Sequence, residues 1–139
     1  MKKYHSNFEQ KTEQIATEIA MSTKFGTVIA LHGNLGAGKT VFARGFARGL
    51  GIKDIVCSPT FTLVKEYSMP DRKWLFHLDL YRIADAESAL SFGIEEYMNN
   101  ENAITLIEWP ERITGILKPG TIFVHIERIN DHERNIKIS

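Results

Sequence analysis

The string Gly33-Asn34-Leu35-Gly36-Ala37-Gly38-Lys39-Thr40 carries the spacing G-x-x-x-x-G-K-[ST] in full. Each residue type has a task in holding a polyphosphate. Glycines at 33, 36 and 38 reach backbone angles closed to residues with a Cβ, so successive amide N–H groups can turn inward around phosphate oxygens. Lys39 supplies an ammonium for the β- and γ-phosphates, and the Thr40 hydroxyl is a ligand type for Mg²⁺. The expected nucleotide contacts run through Asn34, Leu35, Gly36, Ala37, Gly38, Lys39, Thr40 and Val41. The string N-K-x-D, which reads guanine, does not occur, so ATP is the expected nucleotide.

Cleaving a phosphoanhydride further requires an acid that holds Mg²⁺ or its waters and orients the attacking water. Two apolar runs end in one: 74-WLFHLD-79 in Asp79 and 103-AITLIE-108 in Glu108. A carboxylate at the end of such a run projects from a sheet edge into a cleft. Asp79 and Glu108 are expected to flank the metal with Thr40, directly or through water, and together with Lys39 to form the catalytic group. One of the two acids positions or deprotonates the water, and the spacing does not say which. Between loop and acids lies 58-SPTFTLVKEY-67, where Ser58, Thr60 and Thr62 suit a switch segment that senses the γ-phosphate. A strand entry stiffened by Pro59 is the plainer reading of the same residues. His32 and His77 sit inside apolar runs and read as core histidines, and Cys57 as buried filler. Trp109, next to Glu108, reads as packing or as an aromatic shaping the site.

These side chains need a scaffold, and the pattern around them supplies one. Ser6 and Glu9 have the spacing of a capping box ahead of a helical stripe at Ile15, Ala16, Ile19 and Ala20. Thr27–His32 reads as a strand running into the loop. Gly38–Leu50 reads as a helix with Phe42, Phe46 and Leu50 on its buried face, Arg44 and Arg48 on another, and Gly51 as its C′ residue. Such a helix aims unpaired N–H groups and its positive dipole end at the anion. Extended runs are expected at 55–57, 62–67 and 74–78, the last two forming a hairpin across 69-MPDR-72. Short helices follow near 85–92 and 94–99, then a buried strand at 103–107 and a hairpin of 121–127 with 134–138. The expected fold class is α/β: one phosphate-loop domain over residues 1–139, its mixed sheet parallel at the centre with antiparallel hairpins, flanked by helices.

Composition bounds the rest. A chain of 139 residues with 43% hydrophobic and 24% charged residues suits one globular domain. A single cysteine allows no intrachain disulfide, the N-terminus has no apolar run behind its lysines, and no stretch is long enough to span a bilayer. A cytoplasmic protein without membrane contact is expected. Seventeen basic and seventeen acidic residues cancel, so overall charge gives no argument for a polyanionic partner. Within Ile83–Glu111, however, seven acids occur with no lysine or arginine, either a solvated face or a docking surface for a basic partner.

Taken together, GNLGAGKT, SPTFTLVKEY, HLDLYR, GIEEY and LIEWPER, in this order, resemble the TsaE (YjeE) family of small bacterial ATPases from Thr12 to Arg134. The resemblance implies a part in making threonylcarbamoyladenosine on tRNA, with ATP hydrolysis that is weak alone and serves the partner proteins TsaD and TsaB. It implies that Thr40 and Glu108 ligate Mg²⁺, that Asp79 is needed for hydrolysis and that Thr12 touches the nucleotide. Asn34 departs from the aspartate common in the family, and the C-terminus is short beside longer family tails. The sole basic cluster, Lys39, Arg44, Arg48 and Lys53, is partly committed to nucleotide, so protein is the expected main partner and tRNA contact secondary. Two other readings of the loop are a small-molecule kinase, which would need an acceptor pocket and a lid, and an adaptor that senses ATP without cleaving it.

Overall fold

In the computed structural model, which describes residues 2–34, 36–54 and 63–139, the chain runs β1 (Lys2–Ser6), α1 (Glu9–Met21), β2 (Val28–His32), α2 (Lys39–Gly49), β3 (Val64–Met69), β4 (Lys73–Asp79), α3 (Ala86–Ser91), α4 (Ile94–Met98), β5 (Ala103–Glu108), β6 (Ile122–Arg128) and β7 (Arg134–Ile138). Short 3-10 stretches cover Pro70–Arg72 and Pro110–Ile116. Leu35, the extended run at 55–57 with Cys57, and Ser58, Pro59, Thr60 and Thr62 lie outside the described residues.

The seven strands form one sheet in the order β1-β7-β6-β2-β5-β4-β3. The four central strands, β6, β2, β5 and β4, are parallel. Both margins are antiparallel, β3 on β4 at one side and β7 then β1 on β6 at the other. The expected mixed α/β sheet with a parallel centre is what the chain forms. All six residues of β5 are buried, as a strand covered on both faces must be, and its sequence AITLIE accordingly shows no polar alternation until its last residue.

Each face has its own apolar layer. Phe42 and Phe46 of α2 and Ile15 and Ile19 of α1 pack with Ile29, Leu31, Leu106 and Val124 on one face. Ile94 and Met98 of α4, Ala89 of α3 and Ile113 pack with Val28, Leu78 and Ile107 on the other. Gly51, at φ +82°, takes the left-handed C′ position past α2, and its amide donates to the Arg48 carbonyl at 2.9 Å.

The start of the chain departs from its sequence reading. Ser6 does not cap α1: the N-cap residue is Phe8, with no side-chain cap. Ser6 ends β1, whose backbone pairs with β7, and its hydroxyl is spent on the Phe8 carbonyl at 2.8 Å and on Thr12 Oγ1 at 2.7 Å. Glu9, the other half of the expected box, instead accepts from Arg44 Nη2 at 2.7 Å. Arg44 also reaches Glu13 at 3.2 Å, and Arg48 reaches it at 2.8 Å. Two members of the supposed basic cluster are therefore neutralised by α1.

Candidate functional site

Three parallel strands end side by side. Register places Leu31 of β2 opposite Glu108 of β5, and Glu108 opposite Asp79 of β4, so both acids emerge at the sheet edge from which the glycine loop departs. Ligands of open α/β sheets settle at this carboxyl edge.

The loop enters α2 through Gly38, the N-cap residue, at φ +104°, a conformation in which a side chain is strained. Among the described residues no side chain caps α2, and no acid occupies its first turn, so its positive end is open to an anionic ligand. Lys39 follows at once. It is 6% exposed, its Nζ makes no hydrogen bond to any described residue, and it lies 4.0 Å from the centroid of the Trp109 ring. Burial pushes the Lys39 ammonium below its ordinary range, against the opposing pull of Glu108, Asp79 and Glu111. A buried cation without hydrogen-bond partners, beside an uncapped helix end, fits an anionic ligand that would supply them.

Trp109 holds its place at a cost. Its backbone is left-handed, φ 58° and ψ 48°, which is unusual for a bulky residue. The indole packs on the half-exposed Tyr81 ring at 4.9 Å. The turn brings the aromatic face under Lys39 one residue after Glu108 leaves the sheet.

The two acids sit in different surroundings. Glu108 is 2% exposed and its Oε2 accepts from His77 Nε2 at 2.6 Å. Asp79 is half-buried and its Oδ1 accepts from the Tyr81 amide at 2.9 Å. Burial raises the Asp79 carboxyl above the usual carboxylate range, with the Tyr81 amide working against the shift and the Glu108 charge adding to it. Because the folded chain holds this proton more tightly than the unfolded one, stability falls as pH rises from the unfolded value near 3.8 through the folded one. Asp79→Asn, which keeps the acceptor for Tyr81, is therefore expected to raise the melting temperature at pH 7, the gain shrinking towards zero as pH falls to 3.8. Melting curves across that range check it; a lower melting temperature at pH 7 contradicts it.

Of the other expected site residues, Asn34 is exposed on the loop, Ala37 is buried, and Thr40 and Val41 lie half-buried in the first turn of α2. Thr12 is 2% exposed on α1, and among the described residues its hydroxyl bonds Ser6 and not the loop. Leu35, Ser58, Thr60 and Thr62 lie outside the described residues. His77 is buried as expected. His32 is not a core histidine: its ring stacks on His125 at 4.5 Å and its Nδ1 lies 3.3 Å from Glu111 at a partly open edge. No helix among the described residues is long and apolar enough to cross a membrane.

Arg134 went unnoticed in the sequence as a residue of the site. At the start of β7 its Nε donates to the Ala37 carbonyl at 2.7 Å and its Nη2 more weakly to that of Gly36 at 3.4 Å, while Nη1 donates to Asn130 at 2.6 Å and Glu133 at 2.9 Å. The guanidinium thus ties the Gly36 and Ala37 carbonyls of the loop to the β6–β7 turn, while within the loop the Ala37 amide donates to the Asn34 carbonyl at 3.0 Å. Only the need of a bent loop for donors to its carbonyls hinted at such a residue. Arg134→Leu is expected to weaken ADP binding about tenfold, from loosening a loop held by charge-assisted hydrogen bonds each worth roughly 1.5–3 kcal/mol. Calorimetric titration checks it, and unchanged affinity would show that the loop keeps its shape unaided.

A family model described as Threonylcarbamoyl adenosine biosynthesis protein TsaE matches residues 6–136. Proteins named tRNA threonylcarbamoyladenosine biosynthesis protein TsaE from Bacillus subtilis, Haemophilus influenzae and Treponema pallidum are similar to the chain, at 42%, 42% and 35% identity over 91%, 86% and 96% of it and 78%, 74% and 97% of their own lengths. A crystal structure of YdiB from Bacillus subtilis shares its fold, with a TM-score of 0.82 at 36% identity, covering 99% of this chain and 83% of that one.

Proposed function

Since the chain belongs to the TsaE family, we propose that it binds and hydrolyses ATP with Mg²⁺ as a subunit of the tRNA threonylcarbamoyladenosine machinery, acting on TsaD and TsaB so that they turn over repeatedly. The observation that carries this reading is the Lys39 ammonium, buried without a hydrogen-bond partner among the described residues at the open end of α2, with two register-matched carboxylates beside it.

In this reading one domain performs the whole task. The amides from Asn34 to Val41 wrap the phosphates, Lys39 leaves the Trp109 face to meet their β- and γ-oxygens, and Thr12 borders the nucleotide. Thr40 and Glu108 would hold Mg²⁺, with Asp79 beside them directly or through water. A hydroxyl and two carboxylates are hard oxygen donors of the kind this ion takes. When bound, Mg²⁺ supplies charge neutralisation to the phosphates. Asp79, whose carboxyl is already driven towards the protonated form, and Glu108 are the candidates to orient the water. The segment with Ser58, Thr60 and Thr62 would sense the γ-phosphate.

The domain offers little to hold a nucleic acid by itself. Its charges cancel, and Arg44 and Arg48 are paired with α1. Protein is therefore the main partner, tRNA contact is secondary, and the site of action is the cytoplasm. The test is ATP hydrolysis by the purified protein with and without TsaD–TsaB, beside tRNA modification in the same reaction. Stimulation by the partners and loss of repeated modification without this chain are expected; hydrolysis indifferent to them would contradict the reading. Glu95 and Glu96 are exposed on α4, and Glu95→Lys/Glu96→Lys is expected to weaken the complex several-fold in a pull-down or titration. Unchanged affinity would discard that surface.

One observation favours a kinase instead. A cavity of about 790 Å³ beside the loop, lined by His32, His125, Arg128, Asn135 and Lys137, could take an acceptor. A phosphorylated product in a metabolite mixture incubated with ATP would establish it.

A further inference from the structure

We propose that His77 is a positioning residue for Glu108: its imidazole holds the Glu108 carboxylate in the one orientation that serves the cation, and the protein's demand for Mg²⁺ depends on that hold. The inference rests on the reading of the loop and acids given above and adds to it a residue that neither the phosphate-loop motif nor the two acids account for.

Strand geometry makes the contact. Residues two apart on a strand face the same way, so His77 and Asp79 share a face of β4. Because Asp79 lies opposite Glu108 and His77 opposite Leu106, His77 stands diagonal to Glu108 on the face that α1 and α2 cover. The result is a contact of 2.6 Å between Nε2 and Oε2, with side chains 1% and 3% exposed. Water does not compete for it.

The chemistry of the ring is set by this pairing. A carboxylate can only accept, so Nε2 must carry the hydrogen, and in the neutral ring Nδ1 is then a bare lone pair. Nδ1 is indeed buried with no hydrogen-bond partner among the described residues. The contact with Glu108 is thus the polar contact the structure gives this ring. A leucine or phenylalanine would fill the same layer without the cost of burying an imidazole, which is tolerable only when the ring is used. What the ring provides is orientation: a glutamate has three rotatable bonds, and a ligand carboxylate is held by a neighbour that fixes its rotamer.

The test measures binding rather than turnover. A non-hydrolysable ATP analogue is titrated calorimetrically into wild type, His77→Gln and His77→Leu, first in EDTA and then across a Mg²⁺ series. In EDTA the three are expected to bind alike. His77→Leu should need about 10–100-fold more Mg²⁺ for the same gain in affinity, the usual effect of removing a ligand's supporting hydrogen bond. His77→Gln, whose amide can donate in place of Nε2, should stay within a few-fold of wild type. A second readout needs no variant: ¹⁵N spectra of the imidazoles should show His77 with its hydrogen on Nε2.

A wild-type Mg²⁺ response matched by His77→Leu would overturn the role of His77 alone. So would a His77→Gln as impaired as His77→Leu, an equal loss of binding in EDTA, which would mark a merely structural part, or a hydrogen found on Nδ1. Should His77→Leu not fold, the glutamine variant and the spectra decide. A wild type indifferent to Mg²⁺ would overturn the reading of the site itself, and this proposal with it.

Discussion

Glu108→Gln is expected to lower ATP turnover by about 10²–10³-fold, the loss usual when one preorganised electrostatic group is taken from a site, while ADP binding in the absence of Mg²⁺ stays within a few-fold of wild type. The substitution removes the charge and keeps the length of the side chain. Glutamine has the volume of glutamate, and its carbonyl oxygen can still accept from His77 Nε2, so the buried contact of 2.6 Å survives. What disappears is a negative charge that faces Lys39 and stands opposite Asp79 across the strand pair. Losing it removes repulsion from the phosphates as well as the proposed cation ligand, so binding without metal is not expected to suffer. Glu108→Ala and Asp79→Ala should also keep some nucleotide binding and lose turnover, but the alanine at 108 strands the His77 N–H in the interior as well, and part of its effect would be on folding. Single-turnover hydrolysis beside calorimetry separates the two quantities. Full hydrolysis by any of these variants would remove that acid from the mechanism.

Gly45→Ala is expected to destabilise the fold by about 1–3 kcal/mol, although alanine is the better helix former by roughly 1 kcal/mol. Gly45 is where α2 crosses α1. A Cβ there would lie 2.4 Å from the Glu13 carbonyl oxygen and 2.7 Å from its Cα, both backbone atoms that cannot swing aside. The close approach also lets Thr17 Oγ1 donate to the Gly45 carbonyl at 2.9 Å, a bond that separation of the helices would break. Since α2 begins at Lys39, tilting it off α1 moves the ammonium and the open helix end together. Gly115→Ala is the control, because a Cβ there meets no described residue within 4 Å; it should be neutral or slightly stabilising. Urea unfolding of the two variants checks the contrast. Equal stabilities would mean that the helix pair relaxes freely, against the close packing of protein interiors.

The parts of the site that a local pattern encodes were legible in the sequence. Eight consecutive residues specify the loop, and two apolar runs ending in Asp79 and Glu108 could be recognised as strands that present acids at one edge. What sequence reading missed depends on contacts between distant segments. β1 is five polar-rich residues, KKYHS, with no apolar alternation, and it exists because β7, more than a hundred residues away, offers an edge to pair with. The serine-to-glutamate spacing at 6 and 9 pointed to a cap, but a strand register claimed the serine and an arginine on another helix claimed the glutamate. A histidine in an apolar strand reads the same whether it packs or holds a carboxylate; the partner of His77 is 31 positions on and becomes visible only through the parallel register. Arg134 is similar, since its acceptors are loop carbonyls that carry no side-chain signature.

In the proposed function the amides of residues 34–41, Lys39 and the paired ends of β4 and β5 form one receptor for a magnesium-bound triphosphate. A crystal structure with Mg²⁺ and a non-hydrolysable ATP analogue tests it most directly. Phosphate oxygens are expected within hydrogen-bond distance of the loop amides, with Lys39 Nζ drawn from the Trp109 ring onto the β- and γ-oxygens, and the cation bound by Thr40 and Glu108 with Asp79 in reach of its shell. An analogue bound elsewhere, or a cation that neither Glu108 nor Asp79 approaches, would contradict it.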